Sequence, residues 1–254
     1  MTKSFPLSGV VAILAVGLFA AASASADTFS IQYFAAPTGS GDFHNGGIAT
    51  GGVSTSNYVT STLGPDGRPV FVGAGFNSDG GAVAAPGASY LNGSNEILYW
   101  TAGQNGITSV PGPSTITLSS SPTEMFVPGQ SNNSTEELAA ILNGGFDLAT
   151  ASSVQFNVGA DDEAFVYLDG TLIETLAGIH GDSPANTAIL NLAAGHHTVE
   201  IFYADLDVVE AQLSFSEVGT PLNITPSVPE PSTFLLFGTG LLGAAGALRR
   251  RFVS

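Results

Sequence analysis

The sequence contains no cysteine and few basic residues. Without cysteine there is no disulfide framework, no thiol nucleophile and no cysteine-ligated metal site. Lysine and arginine number 5 against 21 aspartates and glutamates, and Lys3 and Arg249 to Arg251 lie at the two ends. Residues 27–230 therefore hold one basic side chain, Arg68, and a net charge of −20. Such a surface repels nucleic acid and attracts multivalent cations, so we expect no nucleic-acid partner.

The N-terminus has the layout of a secretory signal peptide. Lys3 precedes an apolar run, Val10 to Ala22, and small residues follow as far as Ala26. This order of charge, apolar core and A-x-A site predicts a signal helix that is cleaved on export. We expect cleavage after Ala26, which leaves Asp27 first; cleavage after Ala24 is the alternative. An uncleaved anchor is disfavoured because the apolar run is short and ends in small residues.

The C-terminus combines three ordered elements. Val228, Pro229, Glu230 and Pro231 form a stiff, extended segment that cannot join a helix. An apolar stretch of about 15 residues follows, close to the length that a membrane-spanning helix needs. The closing arginines predict a cytoplasmic end by the positive-inside rule.

Residues 228–254 resemble the PEP-CTERM sorting tail of Gram-negative bacteria. The resemblance implies recognition by an exosortase and removal of the tail, after transient anchoring in the inner membrane. It also implies delivery to the cell surface or an exopolysaccharide matrix. A plain C-terminal anchor without processing is the alternative.

The composition favours turn-rich β structure over helix, because the whole sequence contains 32 Gly and 14 Pro and few charged residues. Short alternating or β-rich segments predict strands at 29–34, 97–100, 114–118, 154–158, 164–168, 171–174, 188–192, 197–203 and 211–215. Asp169-Gly170 is a hairpin signal, and a turn at Ala194-Gly195 is expected to pair the strands on either side of it. Residues 134–142 predict one helix, since Ser134 and Glu137 fit a capping box.

We therefore predict an all-β fold, an antiparallel β-sandwich, with a cleaved N-terminal signal helix and a C-terminal membrane-spanning helix. Residues 27–130 form either a separate unit or the first strands of the same sandwich. The predicted organisation is a signal peptide at 1–26, a Gly-rich β region at 27–130, a β-sandwich at 131–218, a linker at 219–227 and a sorting tail at 228–254.

Three consecutive carboxylates, Asp161, Asp162 and Glu163, fall between two predicted strands. Adjacent carboxylates repel one another, and a bound cation offsets that repulsion. Hard oxygen ligands select calcium over zinc or copper. A solvated acidic loop without metal is the alternative.

A longer pattern resembles the fibro-slime domain, which is similar to the carbohydrate-binding β-sandwich named for anthrax protective antigen. The pattern runs through residues 159–170, 177–180, 192–197 and 201–205. The resemblance implies that Asp161 and Asp162 hold a calcium ion that binds sugar hydroxyls. Asp182 and Asn186 are further ligand candidates by chemistry alone. The sequence departs from the family where Glu163 replaces a third aspartate and Leu206 replaces an arginine.

Other polar and aromatic residues are expected to be structural. His180 lies on a loop beside an aspartate, and it is more typical of a structural histidine than of a ligand. His196 and His197 should face opposite sides of a strand, with one ring exposed, so they cannot coordinate the same metal ion. Tyr167 and Tyr203 are expected to be half-buried strand residues.

The sequence thus favours an exported surface or matrix protein with a calcium-dependent carbohydrate-binding or adhesive sandwich. A structural matrix component without a specific ligand is the alternative. A glycosidase working through paired carboxylates is a remote third possibility. No signature places two carboxylates across a cleft, so we do not expect an enzyme.

Overall fold

The computed structural model describes residues 27–43, 58–73 and 85–227. Within these ranges the only helical element is a 3₁₀ turn at Ala88–Tyr90. The strands in chain order are β1 (Asp27–Pro37), β2 (Thr108–Val110), β3 (Thr115–Leu118), β4 (Thr123–Glu124), β5 (Glu136–Leu148), β6 (Ser152–Val154), β7 (Phe156–Asp161), β8 (Glu163–Leu168), β9 (Thr171–Leu176), β10 (Ala185–Asn186), β11 (Leu190–Leu192), β12 (Gly195–Ala204), β13 (Gln212–Glu217) and β14 (Thr225–Pro226).

The strands form two principal antiparallel sheets. The larger sheet has the order β2-β1-β5-β12-β8-β9, with β3 also paired to β1 and β14 to β5. The smaller sheet has the order β10-β7-β13-β4, and β11 pairs with β6 separately. The fold is therefore all-β and sandwich-like, which confirms the predicted fold class.

The first hydrophobic core lies between the two sheets. Phe29 and Leu142 of the larger sheet pack in one cluster with Phe156 and Phe215 of the smaller sheet. Ring contacts reinforce this packing: the centroids of Phe29 and Phe215 are 5.3 Å apart in an edge-to-face arrangement. Burial of these alternating apolar side chains fixes which face of each strand points inward.

A second core covers the opposite face of the larger sheet. The connection between β1 and β2 supplies half or more of its aromatic residues, among them Phe43, Tyr58 and Trp100, and these pack on aromatic side chains of the sheet. The indole Nε1–H of Trp100 donates to the backbone oxygen of Tyr203 over 2.7 Å. The larger sheet is thus buried on both faces over its central strands.

Strands from the predicted Gly-rich region and the predicted sandwich region share the larger sheet. β1 pairs with β5 from Ser30 opposite Asn143 to Pro37 opposite Glu136. The strands of residues 27–43 therefore complete the sheet that carries β8 and β12.

The predicted helix at 134–142 is wrong, because these residues begin β5. The helix signal came from Ser134, Glu137 and the run of leucine and alanine that follows. In the structure, Leu138 faces the first core while its neighbour Ala139 faces the second. A central strand with two buried faces is apolar at every position, so it lacks the alternation that marks a half-buried strand.

Several strand predictions need local correction. Residues 97–100 form an isolated bridge and a turn rather than a strand. The strand at 154–158 is divided at Gln155 into β6 and β7. The strand at 188–192 is reduced to β11, which pairs with β6 instead of β12. Tyr167 and Tyr203 are fully buried, not half-buried, because cores lie on both faces of their sheet.

The hairpin prediction is confirmed. Leu168 pairs with Thr171 across the turn, and Asp169 and Gly170 have positive φ angles of 50° and 73°. Two positive φ values in a two-residue loop suit the right-handed twist of the strands that it joins.

The predicted signal helix, the sorting motif from Val228 to Pro231 and the C-terminal span lie outside the described residues. Among the residues that are described, no helix is long and apolar enough to cross a membrane.

Candidate functional site

Three consecutive carboxylates lie where the two sheets meet. Asp161 is the last residue of β7, Glu163 is the first residue of β8, and Asp162 joins them through a cis peptide bond with Asp161. The three residues are only 3%, 2% and 0% exposed, in that order. The alternative of a solvated acidic loop is therefore wrong, because the carboxylates are buried between β7 and β8.

The loop at residues 177–182 wraps around these carboxylates. Every second backbone N–H of the loop faces one carboxylate, in antiparallel order. Gly178 donates to Glu163 Oε2 at 3.3 Å and His180 donates to Asp162 Oδ1 at 3.0 Å, while the backbone N–H of Asp182 faces the Asp161 carboxylate and helps to lower its pKa. The acidic triplet thus positions this loop through backbone donors instead of basic side chains.

A second loop, residues 205–210, approaches the triplet from the end of β12. The backbone N–H of Leu206 donates to Asp162 Oδ2 over 2.7 Å. Asp162 therefore joins both loops, since each of its oxygens accepts one backbone N–H. The hydroxyl of Tyr203 also donates to the backbone oxygen of Asp161. The Leu206 side chain packs in the second core.

Asn133 orders the second loop. Its Nδ2 donates to Asp205 Oδ2 over 3.0 Å and to the backbone oxygen of Asp207 over 2.9 Å. The other carboxylate oxygen of Asp205 is buried and has no hydrogen bond. The sequence did not single out the loop at 205–210, although Asp205 closes the pattern at 201–205.

Burial raises the pKa values of the acidic residues in this region. It raises the pKa of Asp161 and of Asp162, whose side chains also share a hydrogen bond. It raises the pKa of Glu163 to about 8 and that of Asp205 to about 9. Two facing carboxylates share such a hydrogen bond only when a proton, or a cation in its place, offsets their repulsion.

The structure brings three of the four predicted ligand residues together. Asp182 acts on Asp161 electrostatically, and its Oδ1 is buried without a hydrogen bond above Gly159. Asn186 lies apart: it pairs with Asn157, four positions before Asp161, or roughly 13 Å along β7. The Asn186 side chain accepts a hydrogen bond from Asn157 Nδ2 over 2.7 Å.

The oxygen atoms around Asp161 suit a hard cation such as calcium, because calcium is bound by carboxylate and carbonyl oxygens. The unpartnered Oδ1 of Asp182 is buried against Gly159, and no contact joins it to the carboxylates of Asp161 and Asp162 as a third ligand. Across residues 27–43, 58–73 and 85–227, no three acidic or histidine side chains converge into a metal-binding group. A cation here would therefore complete its ligands with backbone oxygens, water or ligand hydroxyls.

The three histidines of the described residues occupy structural positions. His197 is buried and its ring contacts Asp169 and the backbone oxygen of Ala193, while His196 is exposed beside Asp147. The prediction that the two rings face opposite sides is therefore confirmed. Burial lowers the pKa of His180, and its Nδ1 contacts the backbone oxygen of Gly181.

The model of the PEP-CTERM protein-sorting motif matches residues 227–251. This match defines a class: proteins that are exported and sorted to the cell envelope or the extracellular space, with processing by an exosortase. No curated protein matches the chain in sequence.

Solved structures with partial similarity include the PA14 sugar-binding domain from an RTX adhesin. It is 19% identical over 79% of this chain and 96% of its own, with a TM-score of 0.36. The epithelial adhesin 9 A domain from Candida glabrata, in complex with Galb1-4GlcNAc, is 11% identical over 80% of this chain and 91% of its own, with a TM-score of 0.33.

A β-glucosidase from Kluyveromyces marxianus is 14% identical over 34% of this chain, with a TM-score of 0.28. The alignment spans only 12% of the β-glucosidase. TM-scores below 0.5 do not establish a shared fold, so the architecture given above rests on the strands of this chain.

Proposed function

We propose that this exported protein binds extracellular carbohydrate through a calcium ion held by Asp161 and Asp162. The observation that carries the proposal is the pair of buried, facing carboxylates without a basic side chain beside them. The fibro-slime resemblance of the surrounding pattern supports the same assignment. The protein would act at the cell surface or in the polysaccharide matrix of a Gram-negative bacterium.

Each residue of the site has a distinct role in this proposal. Asp161 and Asp162 supply carboxylate oxygens, and backbone oxygens or water complete the coordination on the protein side. A bound calcium ion would supply open coordination positions for the hydroxyl groups of a sugar. The loops at 177–182 and 205–210, both anchored on Asp162, would flank the sugar and exclude part of its water.

Calorimetric titration of the processed protein with calcium tests the metal site. We expect heat with a stoichiometry near one ion per site in the wild type, and none in Asp161→Asn. Asp147→Asn is the matched control, because Asp147 is an exposed carboxylate outside the site. Absence of calcium heat in the wild type would refute the metal assignment.

A glycan array, read with calcium and again with chelator, tests the ligand. Retention of specific glycans only in calcium supports the proposal. Retention that is equal in chelator contradicts the calcium dependence and leaves sugar binding in place. Absence of retention in both conditions contradicts the carbohydrate assignment itself.

A structural matrix component without a specific ligand is the second candidate. The hydrogen bonds of Asp162 favour this second candidate, because each carboxylate oxygen of Asp162 already accepts a backbone N–H from one of the two loops. On this reading Asp162 is an internal brace, and Asp162→Asn lowers the melting temperature equally with calcium and with chelator. On the calcium proposal, the loss is larger with calcium present.

The sorting tail would act before either role begins. On our proposal, the apolar span after Val228-Pro229-Glu230-Pro231 anchors the chain transiently in the inner membrane. Exosortase cleavage then releases the acidic body to the outside.

A further inference from the structure

A second pair of carboxylates lies far from the triplet in sequence, where β1 begins. Asp27 is only 2% exposed, and its side chain shares a hydrogen bond with that of Glu217 at the end of β13. The Oδ1 atom of Asp27 is buried and accepts no hydrogen bond. The backbone N–H of Ile224 faces the Asp27 carboxylate, and that of Leu222 donates to Glu217 Oε1 over 3.1 Å.

No cationic side chain of the described residues faces this pair. The Arg68 guanidinium donates to the backbone oxygens of Gly67 and Trp100. The described histidines contact other groups, as given above. The elements packed against Asp27, β3 and residues 218–227, contain no titratable side chain, so Glu217 alone faces it. Burial, and secondarily Glu217, raise the pKa of Asp27.

We propose that the missing cation is the α-ammonium group that signal-peptide cleavage creates on Asp27 itself. Covalent geometry keeps the Asp27 nitrogen within roughly 4 Å of its own carboxylate. The Glu217 carboxyl faces that carboxylate, so the new charge forms within reach of both acidic groups. In the precursor the nitrogen is a neutral amide, so only the cleaved chain carries the charge that completes the pair.

Cleavage of the signal peptide is hydrolysis of one peptide bond. A signal peptidase uses water to break the bond between the Ala26 carbonyl carbon and the Asp27 nitrogen. The hydroxyl goes to Ala26 as a carboxylic acid that ionises, and the nitrogen becomes an amine that takes up a proton near neutral pH. The proposal requires export and this cleavage, but neither calcium nor sugar binding, so a failed calcium titration leaves it intact.

The first test is the N-terminus of the exported protein. Intact mass and N-terminal sequencing should give Asp27 as the first residue. A chain that begins at Ser25, or one that retains its leader, overturns the proposal.

The second test uses the absence of lysine after Lys3. In the cleaved chain, an amine-reactive ester labels only the α-amino group. An ammonium held by two carboxylates has a pKa above the usual 7.7–8.0, and each unit slows labelling about tenfold below that pKa. We expect the folded exported protein to react at least about tenfold more slowly than the same protein in urea at pH 7.5.

Glu217→Gln should accelerate labelling of the folded protein several-fold, because one carboxylate is lost. Glu124→Gln on the neighbouring strand β4 is the matched control and should not change the rate. Circular dichroism checks that both variants are folded. If Glu217→Gln does not fold, the pH dependence of wild-type labelling still gives the pKa of the amine. Labelling equally fast in folded and unfolded wild type, or a fitted pKa at or below 8, overturns the proposal.

Discussion

Glu96 has no part in the proposed site, yet it organises the segment that covers the second core. Its Oε1 accepts the backbone N–H groups of Asp66 and Arg68 at 2.8 and 3.3 Å, and its Oε2 accepts Asn92 Nδ2 at 2.6 Å. Burial alone would raise the pKa of Glu96, but these donors together lower it. The carboxylate therefore joins the turn at 64–68 to the turn at 92–96.

We predict that Glu96→Ala lowers the free energy of unfolding by about 2–3 kcal/mol, because it removes bonds to a charged acceptor and leaves donors unpaired. Urea denaturation measures the loss. Because the pKa of Glu96 is lowered in the folded state, its ionised carboxylate stabilises the fold at pH values above the usual carboxylate pKa. The loss of stability in Glu96→Ala should therefore shrink as the pH falls through the lowered pKa. Asp147→Asn serves as the exposed control. A change under about 0.5 kcal/mol for Glu96→Ala would contradict this role.

His197 provides the clearest pH dependence of a single residue. The hydrogen bond from its Nδ1 to Asp169 Oδ2, 2.7 Å long, raises the pKa of His197. Since Nε2 contacts the backbone oxygen of Ala193, both ring nitrogens face acceptors and the protonated ring suits both. A raised histidine pKa stabilises fully below the usual value of about 6.5, and the stabilisation is lost as the pH rises through the folded value.

We therefore predict that His197→Ala lowers the melting temperature by several degrees at pH 6 and by less at pH 9. Differential scanning calorimetry at the two pH values measures the difference. His196→Ala is the control, because that ring is exposed and should change neither value much. Equal losses at pH 6 and pH 9 for His197→Ala would mean that the ring acts by packing alone.

Strand β5 shows what sequence reasoning could and could not predict at the scale of an element. Residues 211–215 have one apolar face and were found from that alternation, while 164–168, although buried on both faces, were found because the Asp169-Gly170 hairpin signal ends them. β5 was missed because its two faces contact different cores, and that arrangement depends on distant segments. Local helix propensity is weak compared with such tertiary burial.

The candidate site was predictable only in part for the same reason. Asp161 and Asp162 adjoin in sequence, and their chemistry alone suggested a cation. The loop at 177–182 follows β9 and the loop at 205–210 follows β12, and both loops reach the site because these two strands lie on either side of β8 in the sheet. Strand order of this kind is not encoded in any local pattern, so the second loop was not recognised.

Gly144 allows the closest packing within β5. A Cβ there would come within 2.6 Å of Ile224 Cγ2 and 2.8 Å of Phe29 Cδ1, and both side chains belong to the first core. We predict that Gly144→Ala lowers the free energy of unfolding by about 1–3 kcal/mol through overpacking. Gly93→Ala is the matched control, because a Cβ at Gly93 meets nothing within 4 Å. Equal denaturation midpoints for the two variants would contradict the packing argument.

At the scale of the whole molecule, acidic charge is distributed through the interior as well as over the surface. Besides the triplet, burial raises the pKa of Glu137 to about 8 and that of Asp205 to about 9. Both oxygens of Glu137 are buried without a hydrogen bond. With Arg68 as the single basic side chain of residues 27–230, ionisation of these groups has no internal compensation.

The sign of the resulting pH dependence follows from the raised pKa values. A carboxyl group with a raised pKa in the folded protein contributes its full stabilisation below the usual carboxyl pKa near 4. This contribution to the stability of the fold is lost as the pH rises through the pKa of the group in the folded protein. We predict that the chelated protein loses several degrees of melting temperature between pH 6 and pH 9. For a chain of this size, each kcal/mol corresponds to about 2–4 °C.

Glu137→Gln combined with Asp205→Asn tests this assignment, because the amides keep the shape of the side chains but cannot ionise. The double variant should show a flatter dependence on pH and a smaller loss at pH 9 than the wild type. Glu124→Gln combined with Asp147→Asn removes the same number of charges from exposed positions and should leave the slope almost unchanged. If both double variants flatten the slope equally, overall repulsion at the surface, and not the buried carboxyl groups, limits stability at high pH.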